Sequence, residues 1–161
     1  MKNLIIVRHA KSSWDYDIAD YDRPLLPRGI DRAENHAAIL KNKLTEIPAF
    51  WATSYATRAL HTAVIFSKEF KQLDRLKIHK DLYTFFYLDL KKAIAEFPNE
   101  MDSAIIFGHN DACIDLISFL TGESLFEFKT ASVASISFKQ DNWHDIADGK
   151  LNFLISKGKI L

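Results

Sequence analysis

The sequence has a single cysteine, Cys113, in 161 residues. No disulfide can form within the chain, which fits a reducing compartment. Glycine is scarce, at 5 residues, and no G-x-G-x-x-G follows the first apolar run, so a dinucleotide-binding fingerprint is missing. No sign of charge prevails: Lys+Arg and Asp+Glu number 21 each. Without a net basic field the chain lacks the footprint of non-specific nucleic-acid binding, although a small positive pocket remains compatible with neutrality. Long apolar runs are absent too. Leu4-Ile5-Ile6-Val7 is cut short by Arg8 and His9, far below the roughly 7–15 apolar residues of a signal peptide or the ~20 of a membrane span. The expectation is a cytoplasmic protein with neither a nucleic-acid nor a membrane partner.

What is present describes a packed globule, 48% hydrophobic and 26% charged, read as one domain over residues 1–161. Strand-like and helix-like patterns alternate along it. Asn3–Val7, Ala49–Thr53, Leu76–His79 and Ser103–Phe107 read as strands. Apolar residues at Ile30, Ala33, Ala37, Leu40 and Leu44 form one helical stripe, and helices are expected over 56–70, 88–97 and 110–120. Ala10–Arg28 is polar and reads as a loop too long to be a mere connection. Ser132–Phe138 and Leu151–Ile155 follow one another with no helical pattern between them, which predicts an antiparallel edge. The fold class is α/β: three layers, with helices on both faces of a mostly parallel, mixed sheet.

In open α/β sheets ligands bind beyond the carboxyl ends of the strands. Arg8 and His9 follow the first apolar run. Arg58 falls in the helical turn after the second unit, and His109 and Asn110 follow Gly108 at the end of a third strand. Taken singly, such residues are ordinarily solvated surface groups, and His36, His61, His79 and His144 are left in that class. Taken together, two guanidinium forks, two imidazoles and helix N-termini converging on one edge make a site for an oxyanion such as phosphate.

These residues resemble the histidine phosphatase superfamily, and more narrowly its phosphohistidine phosphatase SixA branch. The resemblance rests on Arg8-His9 within Ile-Val-Arg-His-Ala-Lys-Ser-Ser-Trp, Asp22-Arg23-Pro24-Leu25 with Arg28-Gly29, and Ser54-x-Ala56-x-Arg58-Ala59-x-x-Thr62-Ala63. Asp81-Leu82-Tyr83, Gly108-His109-Asn110, Lys129-Thr130-Ala131 and Trp143 extend it over nearly the whole chain. Asp111 departs from the pattern, standing where the family often has proline. The stretch 81–90 has no glutamate of the kind many members use as a general acid.

The resemblance implies a phosphatase in which His9 is the nucleophile and Arg8, Arg58 and His109 are catalytic groups holding the phosphoryl oxygens. Asn110 and Arg23 are candidate substrate contacts, Asn110 reading equally well as a helix N-cap and Arg23 as part of an ion pair within its loop. No metal or other cofactor is implied. A histidine-phosphorylated protein is the expected partner, because an imidazole leaving group needs little acid catalysis and short loops leave the pocket open. The competing readings are a phosphatase of small phosphoesters or other phosphoproteins, and a non-catalytic module that binds a phosphorylated ligand. A nucleophile at the pocket centre argues against the second of these.

Overall fold

The first strand, β1 (Lys2–Arg8), buries both of its faces. Leu4 and Ile6 join one hydrophobic cluster while Ile5 and Val7 join another, as the period-two alternation of a central strand requires. The computed structural model describes all of residues 1–161. Six further strands complete a single sheet: β2 (Phe50–Thr53), β3 (Leu76–Ile78), β4 (Ser103–Gly108), β5 (Val133–Phe138), β6 (Lys150–Ser156) and β7 (Lys159–Ile160). Their order is β3-β2-β4-β1-β5-β6-β7. The first four strands in the chain run parallel, and β5, β6 and β7 add an antiparallel half, beginning directly beside β1. The sheet is therefore mixed, as the pattern predicts. Only β7 carries no signal, being two exposed residues long.

Helices α1 (Pro27–Lys43) and α2 (Thr57–Glu69) cover the face of Ile5 and Val7, burying Ala33, Ala37, Leu40, Ala63 and Phe66. Helices α3 (Tyr87–Ala95) and α4 (Ala112–Thr121) cover the other face through Leu90, Ile94, Leu116 and Ile117. Each such leucine, isoleucine or phenylalanine contributes about 1.5–3 kcal/mol on burial. Cys113 lies in this second core, where burial pushes its thiol up to about 12, so it is an inert packing residue.

Two local features shape the edge where the parallel strands end. Pro27 opens α1 at its first turn, where its missing N–H costs nothing. Two residues on, a Cβ at Gly29 would overlap the carbonyl oxygen of Lys11, so the start of α1 is pressed against the chain just after β1. The long loop is also tied at its base. Ser12 bridges to Leu25, Ser13 N–H donates to the Pro24 carbonyl at 2.8 Å and Leu26 N–H to the Lys11 carbonyl at 2.9 Å. Its tip, a 3-10 turn at Asp20–Asp22, packs against α2.

Two sequence expectations need correction. The helix expected from Asn110 begins at Ala112, with Asp111 as its cap residue and no side-chain cap bond. Asn110 is therefore no N-cap. Its amide donates instead to the carbonyl of Phe128 at 3.0 Å. His36 is not a surface group: it is 1% exposed. Its ring pairs with the Ala131 carbonyl at 2.7 Å and accepts the Gly158 N–H at 2.9 Å. One buried imidazole thus pins α1 to the segment before β5 and to the β6–β7 turn, and burial lowers its pKa.

Candidate active site

In the sheet β2, β4 and β1 are neighbours, and Val7 and Thr53 both pair with Phe107. Their carboxyl ends are therefore level, and the residues that follow meet above one edge. His9, Arg58 and His109 are all buried there. The rings of His9 and His109 lie with centroids 5.3 Å apart.

His9 is held by a bond that fixes its tautomer. Nδ1 lies 2.7 Å from the carbonyl oxygen of Ala10, which can only accept, so Nδ1 carries the proton and Nε2 keeps its lone pair. That lone pair accepts the Nε–H of Arg58 at 3.3 Å. Burial, opposed by the bond to Ala10 and reinforced by the charges of Arg58, Arg8 and Arg23, takes His9 down to about 3. Like-charge repulsion is thus the smaller cause. The result is a neutral imidazole with its nucleophilic nitrogen directed at a guanidinium.

Arg58, 1% exposed, is anchored on its other side by Asp20. Nη1 donates to the Asp20 carbonyl at 2.7 Å and Nη2 to its carboxylate at 2.9 Å. The same carboxylate accepts the Tyr83 hydroxyl at 2.6 Å and Arg23 Nε at 3.2 Å. Burial acts to raise Asp20, but the hydrogen bonds from Tyr83 and Arg58 outweigh it and bring it down to about 2. Tyr83 is pushed up to about 12 by burial and by its bond to Asp20. Arg23 also donates to Ser12 Oγ at 2.7 Å, and the ring of Trp14 lies 3.5 Å over its guanidinium.

Arg8 donates Nη1 to the carbonyl of Phe128 at 2.9 Å, the same oxygen that takes the Asn110 amide. Arg8 Nε, His109 Nδ1 and Asn110 Oδ1 are buried and have no partner within the chain. His109 Nε2 lies 2.8 Å from Ser54 Oγ, which itself accepts the Ala56 N–H. A Ser54 hydroxyl donated to Nε2 would leave the His109 proton on Nδ1. Burial first, then His9 and Arg58, lowers His109 to about 2. Tyr83 and Phe85 pack on its ring.

A cavity of about 230 Å³ opens among these groups, lined by Arg8, His9, Asp20, Arg23, Arg58 and Asn110 together with Lys11, Ser12, Trp14, Phe85 and Thr130. A larger groove, about 470 Å³, lies on the other side of Tyr83, and none of the six sequence-predicted residues lines it. All six stand around the smaller cavity or, for His109, beside it. Asp20 is the residue that sequence reasoning missed. Among four aspartates of an aperiodic loop, Asp15, Asp17, Asp20 and Asp22, nothing marks the one that folds inward.

The sequence model of the histidine phosphatase superfamily (branch 1) matches residues 4–112. The chain belongs to that superfamily. It is a phosphatase of the α/β architecture that the superfamily shares. An uncharacterized chloroplastic protein of Arabidopsis thaliana is 27% identical to this histidine phosphatase over 154 residues, 89% of this chain and 70% of that one. Among solved structures, the protein histidine phosphatase SixA complexed with tungstate superposes with a TM-score of 0.81 at 22% identity, covering 96% of each chain. A mycobacterial glucosyl-3-phosphoglycerate phosphatase superposes with a TM-score of 0.70 at 15% identity, covering 94% of this chain and 97% of that one. At these identities the likeness is one of fold.

Proposed function

We infer that this histidine phosphatase is a phosphohistidine phosphatase of the SixA type, acting on a phosphorylated histidine of a partner protein. The observation that carries the reading is the His9 tautomer: with Nδ1–H held by Ala10, Nε2 bears no proton, and its lone pair, which meets Arg58 in the free enzyme, is the one that attacks phosphorus. In the reaction His9 Nε2 forms a bond to phosphorus as the P–N bond of the substrate breaks. Water then hydrolyses the phosphohistidine on His9, so one hard step becomes two easier ones. Arg58 turns its Nε–H from the imidazole to a phosphoryl oxygen as the lone pair is used. Arg8 Nε and His109 Nδ1, both without partners, supply further donors, the largest source of stabilisation in phosphoryl transfer. Asn110 and Arg23 complete the wall.

The surroundings favour a protein substrate over a small metabolite. Two exposed aromatic side chains line the cavity: Trp14, 74% exposed, and Phe85, 44% exposed. From Phe85 the rings of Tyr83, Tyr55 and Tyr21 continue in series. Aromatic groups left in water around a polar pocket are the composition of a docking surface, where they supply most of the affinity.

The test is phosphate release from a histidine-phosphorylated carrier protein, compared with an aryl phosphate at equal concentration. A strong preference for the carrier, and an acid-labile phosphoenzyme that disappears in His9→Ala, is the expected result. Comparable rates on both substrates overturn the assignment of substrate, and substantial turnover by His9→Ala overturns that of the nucleophile.

A further inference from the structure

Asp20 places a negative charge in a pocket whose task is to bind an anion. Part of its role is evident: Arg58 is buried, and a buried guanidinium without a counter-charge costs several kcal/mol. A counter-charge for Arg58 could, however, have been placed away from the cavity. Instead the Asp20 carboxylate lines it alongside His9. Two arginines and the Tyr83 hydroxyl fix it in place, yet its side chain stays 39% exposed. It stands one guanidinium away from the attacking nitrogen, because Arg58 touches His9 through Nε and Asp20 through Nη2.

In-line transfer puts the leaving group opposite the nucleophile. His9 is only 7% exposed, so the leaving group lies on the open side, which the exposed part of Asp20 shares. Two chemical classes behave oppositely there. A phosphorylated imidazole is protonated on its second nitrogen before cleavage, so its ring carries positive charge. When the P–N bond breaks, its electron pair returns to the ring nitrogen and neutral imidazole departs, with no further proton needed. An ester leaves as an oxyanion, gaining negative charge as the P–O bond breaks.

We propose that Asp20 is a specificity-determining residue, whose fixed carboxylate favours phosphoryl transfer from a cationic imidazole ring and disfavours transfer from an ester that departs as an oxyanion. Measured from free enzyme and unprotonated substrate, the transition state for imidazole has gained a positive charge that the carboxylate stabilises. The transition state for an ester has gained a negative charge that it repels. The discrimination therefore appears in kcat/KM. It also answers how a site without a glutamate acid selects its substrate: it supplies no proton, and retains the substrates that bring their own. The proposal rests on the phosphohistidine reading above.

The experiment measures kcat/KM of the full chain on N-phosphoimidazole and on p-nitrophenyl phosphate, for the wild type, Asp20→Asn and Tyr83→Phe. The ratio of the two constants is read on one preparation, so a loss of active protein cancels. Asp20→Asn is expected to lower the imidazole-to-ester ratio about tenfold, the scale of one interaction with a charged group. Tyr83→Phe removes a donor to the carboxylate but keeps the charge, and its ratio is expected to stay within about threefold of the wild type. A fall smaller than about threefold in Asp20→Asn overturns the proposal. So does an equal fall in Tyr83→Phe, which would mean that the effect comes from disturbed geometry at Arg58. Absence of wild-type turnover on N-phosphoimidazole and on a phosphorylated carrier would instead overturn the phosphohistidine reading, while a wild-type preference that survives Asp20→Asn overturns only the role of Asp20.

Discussion

Arg58 and His9 meet through a 3.3 Å bond in which the guanidinium Nε–H covers the imidazole lone pair. The same guanidinium is gripped from behind by the carbonyl and carboxylate of Asp20. The nucleophile and the principal clamp are thus one hydrogen-bonded unit, and each is oriented by the other before substrate arrives. Preorganisation of this kind limits what must reorient as charge develops to the Nε–H itself.

Arg58→Lys is expected to be a poor enzyme, since three nitrogens of Arg58 bond in three directions and one ammonium cannot replace a planar fork. Loss of one charge-stabilising donor costs ~10²–10³ in rate, and kcat/KM of the variant should fall by at least that much. Near-wild-type turnover would show that Arg58 supplies only bulk charge.

Acid should destabilise the protein well above the pH at which carboxylates titrate. His9 and His109 fall from 6.5 to about 3 and about 2 in the fold, so the unfolded chain binds protons that the folded chain refuses. Their contribution is complete above pH 6.5 and is lost as pH falls from there toward 3. Each adds a slope of up to about 1.4 kcal/mol per pH unit in that window. His109→Gln should flatten the dependence of Tm on pH by one such increment. An unchanged slope would mean that His109 is not buried in its neutral form.

The same shifts bear on catalysis. Both histidines are neutral in the free enzyme at any pH above about 3. The pH profile of kcat/KM is therefore expected to show no inflection near 6.5 from the enzyme, only from the substrate. A profile on an aryl phosphate separates the two, because that substrate has no imidazole.

Gly29→Ala should weaken the protein and its site together. The new methyl group would overlap the main chain of Lys11, which cannot rotate away as a side chain could, and Lys11 adjoins Ser12, a partner of Arg23. Overpacking of this kind costs about 1–3 kcal/mol. A lower Tm with reduced turnover is expected, and an unaltered Tm would show that the chain after β1 is free to shift.

Phe86→Ala tests whether the docking surface extends past Phe85, its neighbour in the chain; alanine is chosen because Phe86 is the cap residue of α3, where serine would itself stabilise the helix. The side chain is largely in water, so stability should change by no more than about 0.5 kcal/mol. KM for a phosphorylated carrier protein is expected to rise about tenfold relative to that for an aryl phosphate. An equal change for both substrates would place Phe86 outside the docking surface.

The convergence at the sheet edge is legible in the sequence because it needs only two rules. Buried parallel strands read as continuous apolar runs, and whatever follows such a run lies at the carboxyl edge. Arg8, His9 and His109 are found that way, and Arg58 by the helical turn after β2. His36 is legible too: it lies three residues after Ala33 and four before Leu40, on the inner stripe of α1, and its spacing says buried where its polarity says surface. Asp20 was not legible, because the loop around it has no period from which to infer which side chain turns inward. Nor could the start of α4 be read to the residue, since Asn110 and Asp111 both suit a helix cap by composition.

Several of the groups that hold the site in place are main-chain carbonyls rather than side chains. The carbonyl oxygens of Ala10, Asp20 and Phe128 fix His9, Arg58, and Arg8 with Asn110, respectively. A carbonyl oxygen survives any exchange of the residue that bears it. Positions 10 and 128 can therefore drift among side chains that fill the same space without slackening the nucleophile or the clamp. A single insertion or deletion nearby would move the oxygen itself. Across related chains, segment length should be held more strictly than residue identity at these two places.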